Sequence, residues 1–205
     1  MASEYPEEHG DPARFSAAND RLYTRWASAY DAVVRVWPTW RRWLETAIPL
    51  VKGPRVLEVS FGTGYLLTRY PERYEIHGVD LNARLVLVAR RNLERTGRAA
   101  WIQRARVEAL PYRSGAFDTV VNTMAMSGYP DGEAAMREMS RVLRPGGRLI
   151  MVDVGFAATS SLADVFREMR PLFESCGFTY ADTEIGGFGT VHLYVGDKRG
   201  DDEPS

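Results

Sequence analysis

Several features that mark other classes of protein are scarce or missing in this sequence. Its 205 residues include one cysteine, Cys176, which excludes a disulfide framework and a cysteine-based zinc cluster. No run of about 18 apolar residues occurs, so no segment is predicted to span a membrane. The net charge of −1 leaves no overall basic field, which disfavours nucleic acid as a partner. We therefore expect one globular domain without a transmembrane segment.

Lysine is also scarce. It occurs only at Lys52 and Lys198, so 24 of the 26 basic side chains are arginine. Genomic base composition is the simpler explanation, and use of the planar guanidinium on anions is the alternative. Arginine is used throughout the sequence, and six arginines make a local basic stretch, at Arg90, Arg91, Arg95, Arg98, Arg104 and Arg106. This stretch predicts a solvated face, with an RNA-binding patch as the alternative.

Both ends of the sequence are polar. Residues 1–13 and 197–205 are predicted to be disordered tails, and residues 14–53 are predicted to form an N-terminal helical cap. The first tail has no apolar segment after a basic one, so we expect no secretory signal and a cytoplasmic location. Residues 54–196 are expected to form the main domain, and the sequence leaves the oligomeric state open.

Short apolar segments alternate with helical patterns along this main domain. The predicted strands are Arg55–Val59, Tyr74–Asp80, Ala100–Gln103, Phe117–Asn122, Arg148–Asp153, Phe178–Ile185 and Thr190–Val195. The predicted helices are 65–72, 83–96, 132–144 and 162–175. The first five strands lack strict polar alternation, which is typical of a parallel sheet covered on both faces. The glycines between the last two indicate a hairpin, so the sheet should end in antiparallel strands.

A glycine-containing loop follows the first predicted strand, in the segment Glu58-Val-Ser-Phe-Gly-Thr-Gly64. Glycines at such a turn let the backbone approach a ligand, and the next helix start offers N–H donors. Asp80 ends the second strand 22 residues after Glu58, a spacing that suits a carboxylate binding a ribose diol. Together these residues indicate a site for an adenosine-containing ligand.

These residues resemble the class I S-adenosylmethionine-dependent methyltransferases. Two further segments carry the resemblance: Glu108–Tyr112 followed by Phe117–Val121, and Met136–Gly147. The matches extend over about residues 20–195 and are most similar to the branch that includes ubiquinone and menaquinone methyltransferases. The resemblance implies a Rossmann-like, doubly wound α/β sheet of seven strands with helices on both faces. It also implies S-adenosylmethionine as cofactor, with S-adenosylhomocysteine as product.

The resemblance implies a set of cofactor-binding residues at or just after the carboxyl ends of strands, where open parallel sheets bind ligands. Those beside the methionine half would be Glu58, Gly62 and Gly64, and Ser60 in the same loop is also counted as cofactor-binding. Those beside the ribose and the adenine would be Asp80, Leu81, Arg106, Val107 and Glu108. Those facing the reactive end would be Asn122 and Thr123.

The sequence departs from the family's pattern at three places. Ser60 stands where the family usually has glycine, so a positive φ there would strain the backbone. Arg106 stands where an acidic residue often accepts a hydrogen bond from the adenine, and arginine has only donors. The link 154–160 is short where relatives often carry additional helix. These departures keep a second hypothesis open, a non-catalytic or partner-dependent relative with weakened cofactor binding.

The expected reaction is methyl transfer to a small or lipophilic acceptor. Asp153 and Tyr30 are the catalytic candidates, with a structural cap and core packing as their respective alternatives. Trp37, Trp40 and Trp43 would either form an apolar lid or pack a helix on the sheet. No metal-ligand spacing occurs. An RNA methyltransferase stays an alternative, and a nicotinamide-dependent enzyme is disfavoured by the closing hairpin.

Overall fold

The computed structural model describes residues 38–154, 169–187 and 189–200. These residues contain one sheet of seven strands in the order β3-β2-β1-β4-β5-β7-β6. The strands are β1 Arg55–Val59, β2 Glu75–Asp80, β3 Trp101–Arg104, β4 Phe117–Thr123, β5 Leu143–Val154, β6 Ala181–Gly186 and β7 Val191–Asp197. The helices are α1 Pro38–Glu45, α2 Ala83–Thr96, α3 Gly132–Val142 and α4 Met169–Ser175.

The order of the strands positions a crevice at the middle of the sheet. β1 pairs in parallel with β2 on one side and with β4 on the other. Because chain order reverses between β1 and β4, their carboxyl ends border a topological switch point, where open α/β sheets bind ligands. At the far edge, β7 runs antiparallel to both β5 and β6. The predicted parallel sheet with an antiparallel C-terminal hairpin is confirmed.

Both faces of the sheet are covered, which explains the continuous apolar strands. Along β5, Leu149 and Met151 join a buried cluster on the face of α3 and α4. Ile150 and Val152 point the other way, into the cluster that contains α1 and α2 residues. Since alternate side chains of a strand face opposite sides, a strand buried on both sides has no polar face to show.

The boundaries of the helices follow from local capping. Asn82 begins α2, because its side chain accepts hydrogen bonds from the backbone N–H groups of Arg84 and Leu85. Gly97 ends α2 at a φ of +64°, in the left-handed region. Asp131 begins α3 in the same way, accepting from the N–H of Ala134. These caps confirm the predicted starts of both helices.

The segment after the glycine loop differs from its prediction. The sequence predicts a helix over residues 65–72, whereas the structure has a short 3₁₀ turn at Leu66–Thr68. Pro71 disfavours helical backbone at Tyr70, and it leaves too few residues for a stable α-helix. Leu66 and Leu67 are both buried, so the segment packs through adjacent side chains and not through a helical stripe.

Two other boundaries shift. α3 ends at Val142, before the predicted stop at Pro145, because Leu143 is already extended and pairs with Phe117. At the C-terminus, β7 continues to Asp197 and Lys198 bridges to Phe178, so the sheet extends past residue 196 into the segment predicted as a tail. Asp197 is fixed there by a two-pronged pairing with Arg148, at 2.8 and 3.0 Å.

Several predictions fall outside the described residues. These are Tyr30, Trp37, the tail 1–13, the cap over 14–37, the link 155–160, the helix over 162–168 and residues 201–205. Trp40 and Trp43 are described, and both pack against the buried cluster on the α1 and α2 face. For these two residues the structure favours helix packing over an apolar lid.

Gly147 offers a test of how tightly the backbone packs near the start of β5. A Cβ on this residue would lie 2.8 Å from the carbonyl oxygen of Arg144 and 3.1 Å from that of Asp118. Since backbone cannot yield as a side chain can, we expect Gly147→Ala to destabilise the protein by about 1–3 kcal/mol in urea unfolding. As a control, a Cβ on Gly132 meets only the mobile end of Met126, so Gly132→Ala should cost less. Equal stability of both variants would contradict this packing.

Candidate functional site

The carboxylate of Asp80 joins the end of β2 to the glycine loop after β1. Its Oδ2 accepts a hydrogen bond from the Gly62 N–H at 2.9 Å, and its Oδ1 accepts one from the Asn82 N–H at 2.8 Å. Asp80 is buried, at 6% exposure, so both bonds act in a poorly solvated place. The predicted ribose-binding carboxylate is therefore also a structural clamp between β2 and the glycine loop.

The glycine loop turns through left-handed backbone at every second residue. Ser60, Gly62 and Gly64 have φ values of +52°, +58° and +75°. A Cβ on Gly62 would meet nothing within 4 Å, so this residue borders open space where a ligand can approach. A Cβ on Gly64 would lie 2.9 Å from the Cβ of Ala89, so the second glycine permits close packing of α2. The positive φ considered for Ser60 from the sequence is thus observed.

Ser60 has a partner that the sequence analysis missed. Its Oγ lies 2.9 Å from the hydroxyl of Tyr129, which also accepts a hydrogen bond from Asn122 Nδ2 at 3.2 Å. Tyr129 follows the 3₁₀ turn Met126–Gly128, after β4. Its 69-residue separation from Ser60 gives no local pattern, and the only available signal was a serine where glycine was expected.

Glu58 is a buried acid within β1. It is 2% exposed, and this loss of water raises its pKa from 4.5 to about 8. The Tyr70 hydroxyl lies near enough to favour the ionised form without reaching good hydrogen-bond geometry, and the charge of Asp80 raises the pKa further. Without a ligand, Glu58 is therefore largely protonated at neutral pH.

Three buried acceptor atoms in this crevice region have no hydrogen-bond partner among the described residues. They are Glu58 Oε2, Glu108 Oε1 and Asn122 Oδ1. An unsatisfied buried polar atom costs about 1–3 kcal/mol, so their presence on neighbouring elements calls for a ligand that donates hydrogen bonds. An amino acid ammonium group and an adenine amino group are such donors, and the residues present fit a cofactor that carries both.

The segment that contains Glu108 is held by α3. Arg141 donates to the carbonyl oxygens of Leu110 and Tyr112 at 3.0 and 2.8 Å, and Glu138 accepts from the Leu110 N–H at 2.7 Å. Arg141 and Glu138 also pair with each other. The Arg141 guanidinium thus fixes the backbone of this segment with several N–H donors in one plane, a geometry that the single ammonium group of lysine does not have.

Arg106 lies beside Glu108 on this segment. Its Nε is 3.7 Å from Glu108 Oε2, and its side chain is 40% exposed. Val107, between them, is buried. Leu81, just after β2, accepts a hydrogen bond at its carbonyl oxygen from Arg104 Nε at 2.8 Å. The cation that the sequence places near the adenine is therefore drawn toward a carboxylate.

The remaining predicted site residues to be placed are Asp153 in β5 and Thr123 at the carboxyl end of β4. Asp153 is 3% exposed, and its Oδ2 accepts from the Met126 N–H at 2.8 Å. Asp153 thus makes a structural contact with the turn after β4, and both its catalytic role and its role as a cap stay predictions. Thr123, half-buried at the end of β4, pairs in register with Val152. No cluster of three or more metal-ligating side chains occurs within the described ranges.

Comparison with known proteins points to one family. A family model described as a methyltransferase domain matches residues 57–151. A demethylmenaquinone methyltransferase from Thermus thermophilus is 36% identical over 118 residues, covering 55% of this chain and 54% of that protein. A phosphatidylethanolamine N-methyltransferase from Cereibacter sphaeroides is 34% identical over 139 residues, covering 66% and 68%.

Solved structures agree on the fold. A S-adenosylmethionine-dependent methyltransferase from Thermotoga maritima superposes with a TM-score of 0.71 at 20% identity, covering 88% of this chain and 100% of that one. The chain spans about half the length of several curated quinone methyltransferases that it matches. None of the helices in the described ranges is both long and apolar enough to cross a bilayer.

The buried state of Glu58 predicts an unusual dependence of stability on pH. Between its unfolded pKa of 4.5 and its folded pKa of about 8, the unfolded chain loses a proton that the folded chain keeps. The free energy of unfolding should therefore fall as pH rises through this window. Glu58→Gln removes that loss, so the ligand-free variant should gain roughly 2–4 kcal/mol relative to the parent between pH 5 and pH 8 in urea unfolding.

Glu138 provides a control of opposite sign. Its hydrogen bonds to Arg141 lower its pKa, so its contribution is present at neutral pH and lost as pH falls through the folded pKa. We expect Glu138→Gln to lose stability relative to the parent near pH 7 and to approach it in acid. Parallel pH profiles for the parent and Glu58→Gln would contradict the assignment of a raised pKa to Glu58.

Proposed function

The chain belongs to the class I S-adenosylmethionine-dependent methyltransferases, and from this premise we propose that it transfers a methyl group from S-adenosylmethionine to a small lipophilic acceptor. The observation that carries the proposal is the set of buried, unpaired acceptor oxygens bordering the crevice, on Glu58, Glu108 and Asn122. A ligand with ammonium and amino donors would satisfy them. The proposal keeps the cytoplasmic location expected from the sequence.

Each part of the cofactor has residues of matching chemistry. Glu58 would accept from the ammonium group, whose charge would lower the pKa of the carboxyl so that it releases its proton to solvent. Asp80 would accept from the ribose hydroxyls while it still holds Gly62. Glu108 would accept from the adenine amino group through Oε1, which supplies the acceptor that Arg106 cannot be.

The described residues bind and align, and the cofactor brings the activated group. When bound, the cofactor supplies an electrophilic methyl on a sulfonium. The chain must then hold donor and acceptor in line and exclude water. Asn122 and Thr123, at the carboxyl end of β4, would face the reacting atoms. A base is needed only for an acceptor whose proton has a high pKa, and Asp153 and Tyr30 stay the predicted candidates.

The class of acceptor is supported by the relatives. Two of them are named for demethylmenaquinone and phosphatidylethanolamine, which are both lipophilic. The alternative of a non-catalytic relative rested partly on Ser60 and Arg106. In the structure Ser60 is hydrogen-bonded to Tyr129 and Arg106 forms an ion pair with Glu108, so both departures from the family's pattern have partners within the chain.

Calorimetry with S-adenosylhomocysteine and S-adenosylmethionine tests cofactor binding. Asp80→Ala should weaken binding of either ligand at least about tenfold, because it removes a charged acceptor and the clamp on Gly62. Asp131→Ala is the control: it also removes a carboxylate that accepts from a backbone N–H, but on the exposed cap of α3. If the parent protein binds neither ligand, the proposed function is wrong.

An analogue with a carbonyl in place of the adenine amino group, S-inosylhomocysteine, tests the role of Glu108. The parent should prefer S-adenosylhomocysteine about tenfold or more. The carbonyl oxygen of the analogue would face Glu108 Oε1, and two acceptors cannot form a hydrogen bond with each other. Glu108→Gln adds an amide donor, so the preference should shrink or reverse. An unchanged preference in the variant would show that Glu108 does not contact this edge of the base.

A further inference from the structure

We infer that the hydrogen bond between the Ser60 and Tyr129 hydroxyls is a positioning contact, which holds the turn after β4 against the glycine loop and thereby sets affinity for the cofactor. The inference rests on the proposed function, and it assigns Ser60 and Tyr129 to the cofactor site as a coupled pair. The two oxygens are 2.9 Å apart, and Asn122 Nδ2 donates to the same tyrosine oxygen at 3.2 Å.

The turn after β4 comprises residues 124–129, and its two ends are bonded to different strands or to the loop after one. At its start, the N–H of Met124 donates to the Val152 carbonyl at 2.7 Å, and the N–H of Met126 donates to Asp153 Oδ2 at 2.8 Å. At its end, the Tyr129 hydroxyl reaches Ser60. The turn therefore ties the carboxyl ends of β1, β4 and β5 together, and Ser60 is its contact with the glycine loop.

Backbone strain marks the same elements. Among the described residues, the non-glycine positions with positive φ are Ser60 at +52° and Met124 at +54°. They follow neighbouring strands, and the turn connects them. Left-handed backbone is unfavourable at a residue other than glycine, and it persists only where surrounding contacts impose it. Glycine would remove the strain at position 60, but it would also remove the hydroxyl that reaches Tyr129.

The surroundings of Tyr129 connect this contact to the cofactor residues. Burial raises the pKa of its phenol far above the usual value, the bond to Ser60 opposes this, and the charges of Asp153, Asp80 and Glu108 raise the pKa further. The phenol thus stays protonated among the acids that would surround the cofactor. Ser60 lies between Glu58 and Gly62, so a shift of this loop would displace groups proposed to line the methionine half.

A double-mutant cycle tests the coupling. Calorimetry with S-adenosylhomocysteine would compare the parent, Ser60→Ala, Tyr129→Phe and the double variant. Each single substitution removes one hydroxyl with little change of shape, and each should weaken binding about 5- to 10-fold. Both substitutions break the contact between Ser60 and Tyr129, and Tyr129→Phe also removes the acceptor of Asn122, so the double variant should bind within about twofold of Tyr129→Phe. Independent losses that multiply would overturn the inference.

Ser60→Gly separates positioning from stability. Glycine relieves the strain at a φ of +52°, so this variant should unfold at a higher temperature than Ser60→Ala, yet bind S-adenosylhomocysteine as weakly. A contact that served stability alone would instead give affinity that follows the unfolding temperature. Recovery of parental affinity in Ser60→Gly would overturn the inference.

Tyr112→Phe is the matched control for loss of a phenol hydroxyl. Tyr112 packs against Phe117 at the start of β4, with ring centroids 4.8 Å apart, and it should keep parental affinity when changed. If the parent and all variants bind the probe equally, the positioning role is wrong and the proposed function stands. If the parent itself fails to bind the probe, the proposed function is wrong, and the inference falls with it.

Discussion

The hydrogen bond from the Gly62 N–H to Asp80 is the contact on which the geometry of the crevice depends. The Ser60 N–H already bonds to the Val79 carbonyl at 2.8 Å, so the pairing of β1 with β2 continues into the loop. Gly62 extends it through the Asp80 side chain, and the Asp80 carbonyl accepts from the Ala105 N–H beyond β3. One acidic residue thus fixes three strand ends, and any ligand held by its carboxylate is placed relative to all of them.

The crevice is built at a cost in free energy that a ligand can recover. Glu58 is buried in an environment that raises its pKa, and three acceptor oxygens lack partners among the described residues. Ser60 and Met124 hold left-handed backbone. Each feature destabilises the ligand-free chain, and each lies at the ends of β1 and β4 or beside them. Such concentration is expected at a functional site, where residues are placed for binding at the expense of stability.

The sequence predicted those parts of the fold that depend on local or periodic signals. A few consecutive residues are enough to predict the apolar strands, the helix caps at Asn82 and Asp131, and the closing hairpin with its glycines. The helix over 65–72 was wrong because Pro71 and tertiary burial override a short apolar pattern. Tyr129 was missed for a different reason: its role arises from a contact with Ser60 across 69 residues, which only the pairing of β1 with β4 creates.

Several of the abundant arginines make specific hydrogen bonds in the structure. Arg148 donates two hydrogen bonds to Asp197, one from Nε and one from a terminal nitrogen. Arg144 Nε donates to one oxygen of Asp118, and the other oxygen accepts from the Arg55 N–H at the start of β1. Arg141 spans two backbone carbonyls and Glu138 to hold the segment that carries Glu108. Base composition can explain why arginine is available, but these forked contacts need a planar guanidinium, so the two explanations operate at different levels. Arg106 differs from these residues, because its Nε makes one ion pair of 3.7 Å with Glu108 Oε2, while Glu108 Oε1 is the oxygen proposed to meet the adenine.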